Sequence, residues 1–534
     1  MWKEFANWKE LLVHYLKRDR KMLIIWIVCM SVFSGGFVLE FVEISKGGGL
    51  AAYFEIMKNP AMISMAGTTP VRTAADYTIG AMYAQMMLLF CGLFAMIIAA
   101  IHVTAHTRKE EESGLTEFLC TYRVGRHANL LALLVEMLLV HGIMLLLTGG
   151  MMCVFQEKSM PAGGCFLFAA AVGLAGMMGA VMAMAVAQIM PTAGAATGVS
   201  LGIMGLLYLL RGGTDISHKD LSMLNPMGWI YMTFPFTKND FLPLLYCIVF
   251  GIIMFFIAVL LEKNRDMGEG YLKESMGNGK VKKSLLSVPG LLMRLNRGTI
   301  AGWLISFAVL GAAYGSVYGD MEKFLNSNEI VRAMFVMQGV SMEESFTSVI
   351  LVVMMCITSV LPVVIVNKLF AEEQNSHLEQ VFATKVSRAK LYFTTVIISC
   401  AAAAVGILLS AGSLGVVGIA CMTKSSMDIG DVLAGGFHYF PAQLFMTALS
   451  ACIVGWMPGL RKVTYVYICY SFMLSYFQGI LKLPEWFEKT AIFSWIPRMP
   501  GESFDAGVFR GVSLVSLCMI ALGYVGYRRR DLLL

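Results

Sequence analysis

Two charged segments of this 534-residue chain carry nearly the same pattern of acidic and basic side chains. They read EEESGLTEFLCTYRVGR at 110–126 and EEQNSHLEQVFATKVSR at 372–388. Without a gap, the charges align as Glu110 with Glu372, Glu111 with Glu373, Glu117 with Glu379, Arg123 with Lys385 and Arg126 with Arg388. A solvated loop needs polarity but not the same charged positions twice. The repeat therefore predicts that both segments form specific charge-assisted hydrogen bonds.

Each segment also has the composition of a short amphipathic helix. An acidic start and a break at Ser or Gly are followed by apolar residues, Phe118-Leu119 in the first segment and Val381-Phe382 in the second. Two rigid, matched elements of this kind fit docking to a soluble partner that has two-fold symmetry.

The sequence around these segments is that of a membrane protein. Hydrophobic residues make up 57% of the chain and charged residues 14%, and the mean hydropathy is +0.70. Apolar runs of about 20 residues match the length that a helix needs to cross a hydrocarbon core of roughly 30 Å. We predict an all-α polytopic membrane protein with about twelve transmembrane helices. The predicted spans lie near 22–43, 80–104, 129–155, 163–189, 192–210, 241–261, 299–319, 347–369, 391–421, 433–456, 463–481 and 507–527.

Lysine and arginine predict the orientation of these spans. They concentrate in 1–21, in 262–298 and in the C-terminal YRRRDLLL. The positive-inside rule then places both ends of the chain in the cytoplasm of a bacterium, as a multi-pass protein of the plasma membrane. The net charge of +6 reflects this topology and contact with anionic membrane lipids rather than nucleic-acid binding.

Further landmarks recur in the same order as the charged segments. Arg20 and Trp26 return as Arg297 and Trp303, and KNRD at 263–266 returns as RRRD at 528–531. Their order and spacing predict two parallel six-helix repeats. The predicted parts are a first half at 1–261, a cytoplasmic linker at 262–283 and a second half at 284–534, with interfacial helices at 1–21 and 284–298.

Several isolated polar residues fall within the predicted spans. Glu136, Gln85 and Gln443 are candidates for lining a substrate pathway, because polar groups in a membrane are unfavourable unless they have a partner or a function. His102 and His106 have a spacing that suits metal binding, but no third ligand is evident, so we predict no metal site.

The charged segments resemble the E-E-x-x-G-x-L-E-x-L-L-x-x-P-V-x-R signature of type-two ATP-binding-cassette permeases. The whole chain resembles the duplicated exporters of polyketide antibiotics, the tetronasin-resistance type. This resemblance also rests on LKRDRKMLIIW at 16–26, LNPMGWIYMTFPF at 224–236 and the ending GYRRRDL. The chain departs from the signature at Tyr122-Arg123 and Thr384-Lys385, where the family usually has a proline before the valine.

The resemblance implies a permease subunit of an ATP-driven exporter that moves a hydrophobic or amphipathic small molecule, lipid or peptide out of the cell by alternating access. Two copies of a separately encoded ATPase would dock on the charged segments and bind ATP and magnesium. The chain contains no phosphate-binding Gly-x4-Gly-Lys-[Ser/Thr] motif, so we predict that it is not an enzyme and holds no cofactor. The alternative is an ion-coupled secondary multidrug transporter of the major facilitator class. Its Gly-x3-Asp-Arg-type loop is absent between the second and third predicted spans.

Overall fold

The computed structural model describes residues 2–46, 49–58, 60–217, 219–273, 283–320, 340–422, 427–481 and 484–531. Throughout these ranges the regular elements are helices, and no strand occurs among them. The chain is an all-α polytopic membrane protein. It divides into two compact units, Met1–Gly277 and Asn278–Leu534, and the division falls inside the segment 262–283 that the sequence predicts as a linker.

The described helices of the first unit follow the chain in this order: α1 (Trp8–Gly35), α2 (Val38–Ser45), α3 (Gly49–Ile56), α4 (Pro60–Ala66), α5 (Ile79–His106), α6 (Arg108–Glu112), α7 (Leu115–Cys120), α8 (Ala128–Val154), α9 (Ala162–Ile189), α10 (Ala193–Ser217), α11 (Pro226–Tyr231) and α12 (Leu242–Lys263). Those of the second unit are α13 (Val288–Ser316), α14 (Met342–Thr358), α15 (Val360–Gln374), α16 (His377–Phe382), α17 (Arg388–Cys421), α18 (Ile429–His438), α19 (Phe440–Trp456), α20 (Val463–Leu481), α21 (Glu485–Glu488) and α22 (Ala506–Arg529).

Eleven helical stretches of the described chain are long and apolar enough to cross a membrane. They are Trp8–Ser45, Ile79–Glu112, Ala128–Val154, Ala162–Ile189, Ala193–Ser217, Leu242–Lys263, Val288–Gly319, Met342–Gln374, Arg388–Cys421, Ile429–Trp456 and Ala506–Arg529. The remaining predicted span, 463–481, is helix α20, which has 19 residues but is not among the eleven. Its four tyrosines make it less apolar than the other spans.

The two predicted interfacial helices are not separate elements. Helix α1 runs without a break from Trp8 to Gly35, and α13 runs from Val288 to Ser316. No proline interrupts either helix after its first turn, so the backbone hydrogen bonds continue past the charged residues. The structure therefore differs from the prediction of interfacial helices distinct from the spans.

The most buried helices are unbroken in the first unit and interrupted in the second. In the first unit, α5 and α9 are unbroken and lie so close that a Cβ on Gly179 would come within 2.5 Å of the Met96 carbonyl oxygen. In the second unit, the helix breaks at Ser359 between α14 and α15 and at Tyr439 between α18 and α19. A proline follows each break within three residues and removes one helical hydrogen bond, which accounts for both kinks.

Candidate docking site

Both charged segments contain the predicted short helix, at equivalent positions. Helix α7 spans Leu115–Cys120 and α16 spans His377–Phe382. The first residues of the two helices are 262 positions apart, and so are the last residues. The residue before each helix, Gly114 or Ser376, is in the left-handed conformation, with φ of 74° and 57°. Glycine adopts this conformation without steric cost, whereas serine adopts it with strain. The same backbone turn therefore sets the direction in which each short helix begins.

A carboxylate near the start of each segment binds an arginine just beyond the last helix of its own unit. Glu373 is 1% exposed and forms two parallel hydrogen bonds with Arg530, Nη1 to Oε1 and Nη2 to Oε2, each 2.6 Å long. Glu111 forms ion pairs with both Arg265 and Arg108. Arg265 and Arg530 are the arginines of the repeated KNRD and RRRD motifs.

An arginine at the end of each segment binds the C-terminal end of the last helix of its own unit. Arg126 donates through Nη2 to the carbonyl oxygens of Glu262, at 2.8 Å, and Arg265. Arg388 donates through Nη1 to the carbonyls of Arg528 and Arg530, at 3.1 and 2.9 Å. The last carbonyls of a helix lack hydrogen-bond partners within the helix and carry partial negative charge. An arginine donates hydrogen bonds to them and its positive charge offsets the negative charge.

We call these contacts the end clamp. It comprises Glu111, Arg126 and Arg265 in the first unit and Glu373, Arg388 and Arg530 in the second. Four of the predicted docking residues thus have partners within their own unit. The sequence did contain the signal, because the KNRD repeat and the charged segments recur together, but their contact across more than 130 residues was missed.

The other predicted docking residues divide into two groups. Glu110 is 7% exposed and pairs with Arg18 at 2.7 Å, and Glu372 pairs with His377 at 2.7 Å. The second group is exposed and consists of Glu117, Arg123, Glu379 and Lys385.

Helix α7 and the turn after it expose two aromatic rings beside these charges. Phe118 and Tyr122 are 57% and 59% exposed, and their rings meet edge to face at 5.4 Å between centroids. Nearby, burial raises the pKa of the Cys120 thiol, and the carboxylates of Glu262 and Glu111 act in the same direction. Cys120 therefore stays protonated near neutral pH. Exposed aromatic rings beside exposed charges are typical of a protein-binding surface.

Each of the three candidate pathway residues has a hydrogen-bond partner or close polar contact within its own unit. Gln85 accepts a hydrogen bond from the Tyr77 hydroxyl at 2.8 Å and lines a cavity of about 130 Å³ in the first unit. Gln443 is buried in the second unit and donates to the Thr358 hydroxyl, which lies next to a helix break. Glu136 is fully buried in α8, and its Oε2 lies 3.3 Å from His102 Nε2.

His102 and His106 belong to a largely buried cluster of ionisable side chains. Their ring centroids are 4.2 Å apart, and His106 Nε2 lies 2.8 Å from an Asp19 carboxylate oxygen. The cluster continues through Arg18, which pairs with Asp19 and Glu110. In the described part of the chain, no group of three His, Cys, Asp or Glu side chains could hold a metal ion.

Comparison with known proteins finds a relative that matches nearly the whole chain. The chain is 28% identical to the "Multidrug efflux system permease protein Rv1217c" of Mycobacterium tuberculosis (strain ATCC 25618 / H37Rv), across 99% of this chain and 95% of that protein. Residues 285–528 match the family model "Multidrug efflux system permease Rv1217c, C-terminal domain", which falls within the second unit. The chain is thus a homologue of a multidrug efflux permease.

Proposed function

We propose that the chain is the membrane permease subunit of an ATP-driven exporter that moves hydrophobic or amphipathic compounds, polyketide antibiotics among them, out of the cell. Similarity to a multidrug efflux permease along nearly the whole chain supports export. The end clamp carries the rest of the proposal. It holds two equivalent short helices rigidly, as docking of two identical ATPase subunits requires, and those partners bind ATP and magnesium.

The clamp explains how movement of a partner would reach the membrane spans. Each short helix lies between the second and third predicted spans of its unit, and the clamp ties it to the end of the last span. A displacement of α7 or α16 therefore acts on three spans together. Such a linkage suits alternating access, in which helices move as groups around a central pathway.

The experiment that tests this function is copurification of the chain with its ATPase, followed by a double replacement of exposed docking residues. Glu117→Ala with Glu379→Ala should lower partner retention and substrate-stimulated ATP hydrolysis about tenfold or more, since a hydrogen bond to a charged group contributes roughly 1.5–3 kcal/mol. The matched control is Glu43→Ala with Glu485→Ala, which removes two exposed carboxylates that pair with Lys46 and Lys489. Unchanged retention and hydrolysis in the inserted double variant would contradict docking through these glutamates.

One observation favours a second candidate, ion-coupled secondary transport. The buried cluster of Glu136, His102, His106 and Asp19 supplies the acidic and imidazole groups that proton-coupled transporters use within the membrane. Transport into inverted vesicles distinguishes the two. An exporter driven by ATP needs the partner and ATP, whereas a secondary transporter works on an imposed ion gradient alone.

A further inference from the structure

The second unit contains a cavity directly beneath the short helix α16. Its volume is about 280 Å³, and it lies among α13, α15, α16 and the start of α17. The lining is mainly apolar and includes Leu292, Leu295 and Leu378, together with the polar residues Asn296, Lys368 and Glu372. A mainly apolar wall with a few polar groups is typical of sites for small organic molecules.

The first unit fills the equivalent position with ionic side chains. Five positions can be matched between the units. In the second unit, Leu292 stands for Tyr15, Leu295 for Arg18, Asn296 for Asp19, Lys368 for His106 and Glu372 for Glu110. In the first unit these side chains bind one another, as in the Arg18–Glu110 and His106–Asp19 pairs. In the second unit Lys368 instead donates to the Leu295 carbonyl oxygen at 2.5 Å. Leu292 and Leu295 are also shorter than Tyr15 and Arg18, and this difference leaves the space open.

Asn296 gives this cavity a specific chemical requirement. The residue is 4% exposed, and its Nδ2 donates to the Leu292 carbonyl oxygen at 2.9 Å. Its Oδ1 is buried and has no hydrogen-bond partner among the described residues. A buried acceptor without a partner is unfavourable, and a ligand that supplies an N–H or O–H group would satisfy it.

We propose that this cavity binds a small amphipathic molecule whose apolar part contacts the leucines and whose amine or hydroxyl group donates to Asn296 Oδ1. Both a transported compound and a membrane lipid can present this chemistry. Because Leu378 and His377 belong to α16, the bound molecule contacts one of the two short helices. That it thereby influences docking of one ATPase copy rests on the proposed function; the binding itself does not.

Photolabelling of the purified full chain, without any ATPase, tests the binding. The probe is octylamine carrying a photoreactive diazirine, and the reference is the same diazirine on octane, which has no hydrogen-bond donor. Peptide mass spectrometry should find amine adducts within 288–296 and 365–381, competed by plain octylamine. Adducts spread evenly over the apolar helices would overturn the proposal.

Two variants separate loss of the site from loss of folding. Asn296→Leu keeps the volume but removes the acceptor, so labelling by the amine should fall about tenfold while labelling by the octane probe persists. Leu292→Trp should block both probes, whereas Met293→Trp, at a residue on α13 that is 47% exposed, should block neither. Equal amine labelling of wild type and Asn296→Leu would refute the role of Asn296.

Competition identifies the source of the natural ligand. In nanodiscs, phosphatidylethanolamine carries an ammonium donor and phosphatidylcholine does not, so protection by the first lipid alone indicates a lipid site. Protection by rhodamine 6G, a hydrophobic dye with N–H groups, in phosphatidylcholine nanodiscs indicates a site for transported compounds. Either result supports binding in the cavity. If phosphatidylethanolamine, rhodamine 6G and octylamine all fail to protect the cavity from labelling, the proposal is contradicted.

Discussion

The two units keep the same end clamp but differ in the space beside it. Glu111 with Arg265 and Glu373 with Arg530 are equivalent ion pairs, formed by residues at matched positions. A few residues away, the first unit holds a buried ionic cluster and the second holds a cavity. The contacts that orient the short helices have thus stayed the same, whereas the packing behind them has diverged. A ligand bound in the cavity as we propose would therefore act on the second unit.

The largest expected effect comes from breaking the clamp in either unit. Glu373→Ala leaves Arg530 without its carboxylate partner, and loss of one partner of a buried ion pair typically lowers the free energy of unfolding by about 3–5 kcal/mol. Glu111→Ala should have an effect of the same order. Denaturation of the purified chain by increasing SDS in mixed micelles measures both, with Glu485→Ala as the control for an exposed glutamate. A change below about 1 kcal/mol, as is usual for exposed pairs, would show that the clamp is not a stable contact.

A smaller effect is expected when residues of the second unit replace those of the buried cluster. His102→Val alone leaves the carboxylate of Glu136 buried without a partner and should destabilise the chain by about 3 kcal/mol. The double change with Glu136→Ile copies Val364 and Ile398 of the second unit and should restore most of that stability, since replacing both partners by apolar groups is often neutral.

The same denaturation experiment tests this pair of variants. A double variant that is less stable than His102→Val would show that the first unit depends on the cluster itself. In vesicles, ATP-driven transport that survives the double change would also argue against ion coupling through Glu136.

The smallest effect is expected at the turns before the short helices. Ser376→Gly should stabilise the second unit by about 1 kcal/mol, because the left-handed conformation strains serine but not glycine. Gly114→Ala should destabilise the first unit by about 1–2 kcal/mol for the same reason, since open space around its Cβ position excludes a clash. Unchanged unfolding midpoints for both variants would indicate that the turns are not held in this conformation.

The sequence predicts those parts of the fold that depend on local patterns. Apolar runs locate the spans, and the matched charges locate the segments that contain α7 and α16. The interfacial helix at 1–21 was predicted from an amphipathic pattern. No helix breaker separates it from the first span, so α1 continues from Trp8 to Gly35.

Contacts between distant parts of the chain were not predictable in the same way. The pairing of Glu373 with Arg530 joins residues that are 157 positions apart. Asp19 falls within the predicted interfacial helix 1–21, yet it contacts His106 because α1 packs beside α5. The cavity depends on the relative sizes of side chains from four helices, which no local pattern encodes.

Helix α17 begins at the clamp residue Arg388 and has 34 residues, whereas its counterpart α8 has 27. At 1.5 Å per residue they are about 51 and 40 Å long, both longer than a hydrocarbon core. A rigid rod that pivots by about 10° at its clamped end moves its far end by roughly 9 Å in the first case and 7 Å in the second. If the proposed partners moved both short helices equally, the far end of α17 would therefore move further than the far end of α8.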